Sequence, residues 1–176
     1  MADTVPALIC LDAKVKIMST SEDRQVPLEE LYSGNSLKPV KLSDDDIVTD
    51  VIIPNSASLR GTGFKKFSSR GGLEFAALTV AALLDMVDNG NTCVKARIVL
   101  GSVSARPVRA LKAENALSGQ KLSDKLLQDA AHEVAAEVRP VMHHGYSIPF
   151  LKECLRVQTL RALTLAANRI NQKQHH

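Results

Sequence analysis

The segment FAALTVAALLDM, residues 75–86, limits the possible folds more than any other part of the chain. Apart from Thr79 and Asp85 it is apolar at every position. As a strand it would put Ala77, Thr79 and Ala81 on one face and Leu78, Val80 and Ala82 on the other, leaving neither face suited to water. Periodicity alone does not separate such a strand from a buried helix. The residues that follow do. Asp88-Asn89-Gly90-Asn91 is a strong turn signal, and VKARIVL, residues 94–100, then alternates apolar and polar. The spacing predicts a β-hairpin whose first strand is central in its sheet and covered on both faces.

Shorter signals surround this hairpin. Ala13-Lys14-Val15-Lys16-Ile17 alternates strictly, as a half-buried strand does. Pro27 suits the first position of a short helix, with Gly34 ending the turn after it. The β-branched run at residues 47–53 reads as a strand stopped by Pro54. Residues 55–63, rich in Ser and Gly and without an apolar period, read as a loop between two subregions. Beyond Pro107 the character turns helical. Leu127, Ala130, Ala131, Val134, Ala135 and Val138 share one helix face, with Ser123 as N-cap and Pro140 as the stop. Residues 150–170 read as a long C-terminal helix with Leu151, Cys154, Leu155, Ala162 and Ala166 on one side. Strands followed by helices predict an α+β fold, a small antiparallel sheet covered by helices.

Composition narrows the functional classes. With 176 residues, 45% of them hydrophobic, the chain can bury a core without disulfides or a structural metal. Cys10, Cys93 and Cys154 are far apart and include no CxxC pair, which argues against a disulfide framework, a zinc site or an iron–sulfur cluster built from this chain alone. A reducing compartment follows. No basic and apolar leader opens the sequence and no apolar run reaches membrane-spanning length, so the expectation is a soluble, cytoplasmic protein. The net charge of +3 is scattered, aromatic residues make up 3%, and Trp is absent. A nucleic-acid surface concentrates Lys and Arg and adds stacking rings for single strands, so nucleic acid is not expected as a partner.

The individual candidates for chemistry are sparse. His143-His144 lacks a third metal ligand at a recognisable spacing, and reads as a solvated loop pair. Asp44-Asp45-Asp46 points its side chains in different directions and reads as a solvated turn before a strand. Gly71-Gly72 lacks the strand-to-helix setting and the Lys-Ser/Thr of a nucleotide loop. On sequence grounds alone, Lys65-Lys66 reads as the charged edge of a strand and Phe75 as core.

Taken in order, the segments form a more specific pattern. Asp3-Thr4-Val5-Pro6-Ala7-Leu8 and Arg24-Gln25-Val26-Pro27-Leu28 are followed by residues 46–54, then by Phe64-Lys65, Arg70 and Glu74-Phe75-Ala76. Ala96-Arg97-Ile98-Val99-Leu100-Gly101-Ser102-Val103, Pro107-Val108-Arg109-Ala110 and residues 150–163 complete it. In this order the chain resembles the flavin-binding medium subunit of the molybdenum hydroxylases, the family of xanthine dehydrogenase and aerobic carbon monoxide dehydrogenase. The resemblance implies that residues 1–55 are the tail of an FAD-binding domain. It implies that residues 60–176 are the family's C-terminal domain, an antiparallel sheet with a helical bundle.

The implied activity is that of an oxidoreductase subunit, relaying electrons from iron–sulfur clusters through FAD to an acceptor. Molybdenum cofactor and iron–sulfur clusters would belong to partner subunits, a molybdopterin subunit and an iron–sulfur subunit. The family's two glycine-rich loops, whose amides cradle the pyrophosphate, precede the Asp-x-x-Pro segment with which this sequence opens. The resemblance thus implies the C-terminal part of the subunit, whether a split gene, a truncated form or a fragment, and an N-terminal FAD-binding portion is an expected partner. Matched residue by residue, Asp3 corresponds to an acid near the flavin and Val48 to a strand residue whose backbone meets the cofactor. Lys65 matches a cationic contact and Phe75 an aromatic ring against the isoalloxazine. Glu74 stands where Asp is usual, Phe150 where Tyr is usual, and Leu151 replaces the Arg after it. The alternative is a flavin-free module that docks partner subunits.

Overall fold

The computed structural model describes residues 3–55, 59–69, 74–87, 91–143 and 145–174. The chain begins with helix α1 (Val5–Cys10), strands β1 (Lys14–Met18) and β2 (Asp23–Pro27), helix α2 (Leu28–Leu31) and strand β3 (Ile47–Ile52). These form a three-stranded antiparallel sheet in the order β2-β1-β3. Next come β4 (Leu59–Phe67), β5 (Leu78–Val87), β6 (Thr92–Gly101), β7 (Val108–Arg109), α3 (Leu111–Leu117), β8 (Gln120–Lys121), α4 (Asp124–Glu137) and α5 (Ile148–Gln174). Their sheet is also antiparallel, ordered β4-β5-β6-β7, with β8 pairing β6.

The expected hairpin is β5 with β6, in register from Thr79–Gly101 to Val87–Thr92. Residues 88–90 of its turn lie outside the described residues. Every residue of β5 except Val87 is buried. Its alternate positions explain why. Leu78, Val80, Ala82, Leu84 and Met86 join Ala96, Ile98 and Leu100 of β6 in a core completed by α4 and α5. Ala81 and Leu83, with Val99 of β6, form a second core with Ile9 and Cys10 of α1, Val15 and Ile17 of β1, and Leu28 and Leu31 of α2. One sheet is thus sandwiched between a helical layer and the N-terminal unit, as an all-apolar strand requires.

The helices follow their local signals. The Ser123 hydroxyl accepts from the Leu126 amide and caps α4, satisfying one of its free N–H groups. α5 runs beyond the expected span at both ends. Short-range signals did not announce β7 or β8, since residues beyond 107 read as helical; α3 falls within that helical reading. Glu114 of α3 is buried, accepts from the Ile98 amide and pairs with Arg109, which also reaches Glu29 of α2 at 3.7 Å. This carboxylate ties the helical layer, the sheet and the N-terminal unit together.

Two expectations need correction. The loop expected over residues 55–63 ends early, since Leu59–Phe67 is strand. Gly61 and Gly63 are present for a reason other than turning. A Cβ at Gly61 would collide with the Ala166 carbonyl of α5, and one at Gly63 with the Ala162 carbonyl. The glycines let helix and strand backbones meet, helped by the small residues at 162 and 166. The second correction concerns Asp46. Rather than lying in water, its side chain is 2% exposed, accepts from Arg24 at 2.9 and 2.6 Å, and accepts from the Ser43 amide at 2.8 Å.

Among the described residues no helix is long and apolar enough to cross a membrane. Nor does any group of three or more His, Cys, Asp or Glu among them gather as metal ligands.

Candidate functional site

The face a residue takes on β4 decides what it meets. Gly61 and Gly63 meet α5, and Phe67 packs into the helical core beside Tyr146 and Phe150, with ring centroids 5.7 and 6.0 Å away. Lys65 shares this parity and pairs in register with Val80, so it stands on the helical face, half-buried. Thr62, Phe64 and Lys66 take the opposite face, toward α1.

It is Lys66 that reaches the N-terminus. Its Nζ lies 2.6 Å from Asp3 Oδ2 and donates to the Glu74 carbonyl, also at 2.6 Å. The Glu74 carboxylate accepts from the Ser69 hydroxyl at 2.8 Å. Asp3, Lys66 and the 74–75 segment are therefore gathered by one ammonium, although 63 residues separate Asp3 from Lys66 in sequence. Adjacent lysines gave the sequence reading no means of choosing between them, because a shift of one residue exchanges the faces of a strand.

The other candidates lie as follows. Phe75 is 65% exposed, an uncommon position for a Phe ring, and it precedes β5 instead of entering the core. Val48 belongs to the other sheet, in register with Ile17 and 38% exposed. Arg70, Gly71 and Gly72 lie outside the described residues, as does His144. His143 is not simply solvated. Its Nδ1 is 2.7 Å from the Val141 carbonyl and its Nε2 is 2.6 Å from the Ala77 carbonyl, so it links the loop after α4 to the approach of β5. Phe150 stacks with Tyr146 at 5.0 Å, and Leu151 is fully buried.

Electrostatics elsewhere discourage thiol chemistry. Burial pushes the Cys10 thiol up to about 12 and the Cys93 thiol up to about 11, leaving both protonated and inert at neutral pH. Cys10 also donates to the Arg97 carbonyl.

What the Asp3–Lys66 corner can hold follows from its charged groups and the ring beside it. A carboxylate, an ammonium and an exposed aromatic ring suit a polar heteroaromatic ligand lying against a wall. A separate cavity between β4 and α1, lined by Ala7, Cys10, Leu11, Phe64, Ala81 and Arg169 and touching none of Asp3, Lys66 and Phe75, is only about 140 Å³. Sites for drug-sized ligands usually exceed roughly 300 Å³. Among the described residues no glycine-rich loop offers a row of amides to a pyrophosphate. The described residues could form at most one wall beside the ring of a flavin dinucleotide, and do not supply its phosphate cradle.

Residues 1–56 match the FAD binding domain in molybdopterin dehydrogenase, and residues 63–166 match the CO dehydrogenase flavoprotein C-terminal domain. The glyceraldehyde dehydrogenase medium chain of Sulfolobus acidocaldarius is 27% identical over 161 residues, which is 92% of this chain and 55% of the relative. Quinoline 2-oxidoreductase from Pseudomonas putida 86 is 27% identical with a TM-score of 0.79, covering 93% of this chain and 55% of that one. Carbon monoxide dehydrogenase from Hydrogenophaga pseudoflava shares the fold, with a TM-score of 0.83 at 24% identity over 93% of this chain and 56% of that one. The chain spans about half the length of the relatives it matches. With both matches falling in order along one α+β fold, the chain belongs to the FAD-binding medium-subunit family of the molybdenum hydroxylases, that of the CO dehydrogenase flavoprotein C-terminal domain.

Proposed function

We propose that this chain forms part of the FAD-binding electron-transfer subunit of a molybdenum hydroxylase, acting in the cytoplasm within an oxidoreductase complex. The observation that carries the reading is the ordered match, an FAD-binding segment followed by the flavoprotein C-terminal domain. FAD, when bound, would supply the redox chemistry by which electrons from iron–sulfur clusters reach an acceptor. The chain's own residues would position that cofactor and set its surroundings. Asp3 and Lys66 supply a fixed pair of opposite charges, and Phe75 offers an exposed ring to cover an isoalloxazine face. Val48 would approach through its backbone. Lys65, on the helical face of β4, would act on the flavin only at a distance. The phosphate cradle would come from the N-terminal FAD-binding portion, while iron–sulfur and molybdopterin subunits would hold the remaining cofactors.

A second reading, a flavin-free docking module, draws on the Asp3–Lys66 pair, which already satisfies both charges, and on the small volume beside α1. Visible spectra of the complex purified from its native cells separate the two. With flavin bound, Lys66→Ala and Phe75→Ala should each shift the flavin bands or lower the flavin content, and Lys65→Ala should change neither. Because Phe75 is exposed, its truncation should alter stability by no more than about 0.5 kcal/mol. A stable complex without flavin absorbance would favour the docking module.

A further inference from the structure

The turn after α2 and the loop after β6 enclose a cleft that touches none of Asp3, Lys66 and Phe75. Its volume is about 340 Å³, above the roughly 300 Å³ at which small-molecule sites begin. Val5, Pro6, Pro39, Val40, Ala105 and Pro107 give it an apolar lining. Both framing segments have a defined shape. Tyr32 forms a bridge with Val40 across the first, and the Arg106 side chain of the second rests beside Gly34, which is left-handed at φ 78°. Ser102 is left-handed too, at φ 62°, where the chain leaves β6. That conformation is uncommon for a residue with a Cβ.

The charge in this cleft has one sign. Arg106 lines it, and no carboxylate is among the described residues around it. Nor does Arg106 enter any ion pair among the described residues. A larger cleft of about 570 Å³ differs in this respect, since Asp12 there pairs with Lys95 and Arg97, and Glu29 and Glu30 also line it. Hydroxyls supply the remaining polar groups. Ser102 and Ser104 are in the lining, and burial pushes the Tyr32 phenol up, so it stays protonated and can donate. Thr79 is 1% exposed, and its hydroxyl has no hydrogen-bond partner. It lies against the lining, because a Cβ at Gly101 would collide with both this hydroxyl and the Pro6 ring. Buried hydroxyls nearly always have a partner, and the cleft is the side from which an acceptor can reach this one.

We propose that this cleft binds a small organic carboxylate, with its oxygens on Arg106 and the neighbouring hydroxyls and its carbon body against Pro6, Pro39 and Pro107. Charge and lining together select this ligand. One guanidinium matches one carboxylate and can meet both of its oxygens. Inorganic phosphate carries more than one charge at neutral pH and has no apolar body, so it would leave charge unmet and the prolines uncovered. The inference does not rest on the functional reading above. It does give the ligand a place relative to the Asp3–Lys66 corner. Lys66 is in register with Thr79, and Thr79 with Gly101. An anion at Gly101 would therefore lie two strand spacings, roughly 10 Å, along the sheet from Lys66.

Benzoate is the probe, titrated into the purified chain and followed by amide NMR shifts, with circular dichroism establishing the fold of each variant. The expected result is saturable binding at about 1 mM or tighter, with the largest shifts among residues 32–40 and 101–106. Benzamide has the same shape without the charge and should bind at least about tenfold more weakly. Folded Arg106→Gln should lose benzoate affinity by at least the same factor. Thr79→Val keeps the side-chain shape, should fold, and should weaken benzoate at least about threefold. Shifts that are absent or lie elsewhere overturn the proposal. So does benzamide binding as tightly as benzoate, or Arg106→Gln binding as tightly as the parent. Inorganic phosphate shifting the same amides with equal affinity also overturns it, because the site would then hold a bare oxyanion. Unchanged binding by folded Thr79→Val overturns the part assigned to that hydroxyl.

Discussion

Arg24 and Asp46 meet across 22 residues of sequence, and their pairing has a pH signature. The Arg24 hydrogen bonds, followed by the Ser43 amide, hold the Asp46 carboxyl below its ordinary value. A carboxyl lowered in this way stabilises the fold fully above its unfolded value and loses that contribution as pH falls through the folded one. Asp46→Asn should therefore lower the urea midpoint at neutral pH, and its deficit against the parent should shrink below about pH 4. A deficit independent of pH would show that the charge is immaterial. The thiols give a second prediction at this scale. At neutral pH an alkylating reagent should label Cys154 first, since Cys10 and Cys93 are buried and raised to about 12 and about 11. Urea should expose all three, as peptide mass spectrometry can follow. The triple Asp and the paired Lys mark what residue identity could not convey. Which of three carboxylates turns inward, and which of two ammonium groups meets Asp3, depends on strand parity and turn geometry set by distant parts of the chain.

At the scale of elements, legibility followed the strength of the period. The run at residues 75–86 and its hairpin partner were readable because few other arrangements bury so many apolar groups on both faces. α4 was readable because its face, N-cap and stop agree. β4 was half hidden. Its glycines resemble turn signals, yet they serve the close approach of α5, a contact made with residues about a hundred positions later. Gly63→Ala should thus force helix and strand apart at the Ala162 carbonyl and cost about 3 kcal/mol by urea denaturation. Ala162→Gly should not relieve it, because the collision is with backbone. A change under about 0.5 kcal/mol would mean that the layers slide freely. The two-residue strands β7 and β8 left no readable signal, since short pairings are set by neighbours already in place.

For the whole molecule, the two cores on opposite faces of one sheet explain how the chain can hold its shape without a bound cofactor. In the proposed reading Asp3, Lys66 and Phe75 would offer a wall, but the described residues supply no row of amides for two phosphates. Uncompensated phosphate charge costs affinity however well the ring is covered. Calorimetric titration of FAD into the purified chain, with circular dichroism to establish folding, tests this division most directly. The account predicts a folded chain that binds FAD more weakly than about 1 µM, equivalent to less than roughly 8 kcal/mol. Submicromolar binding by this chain alone would contradict it.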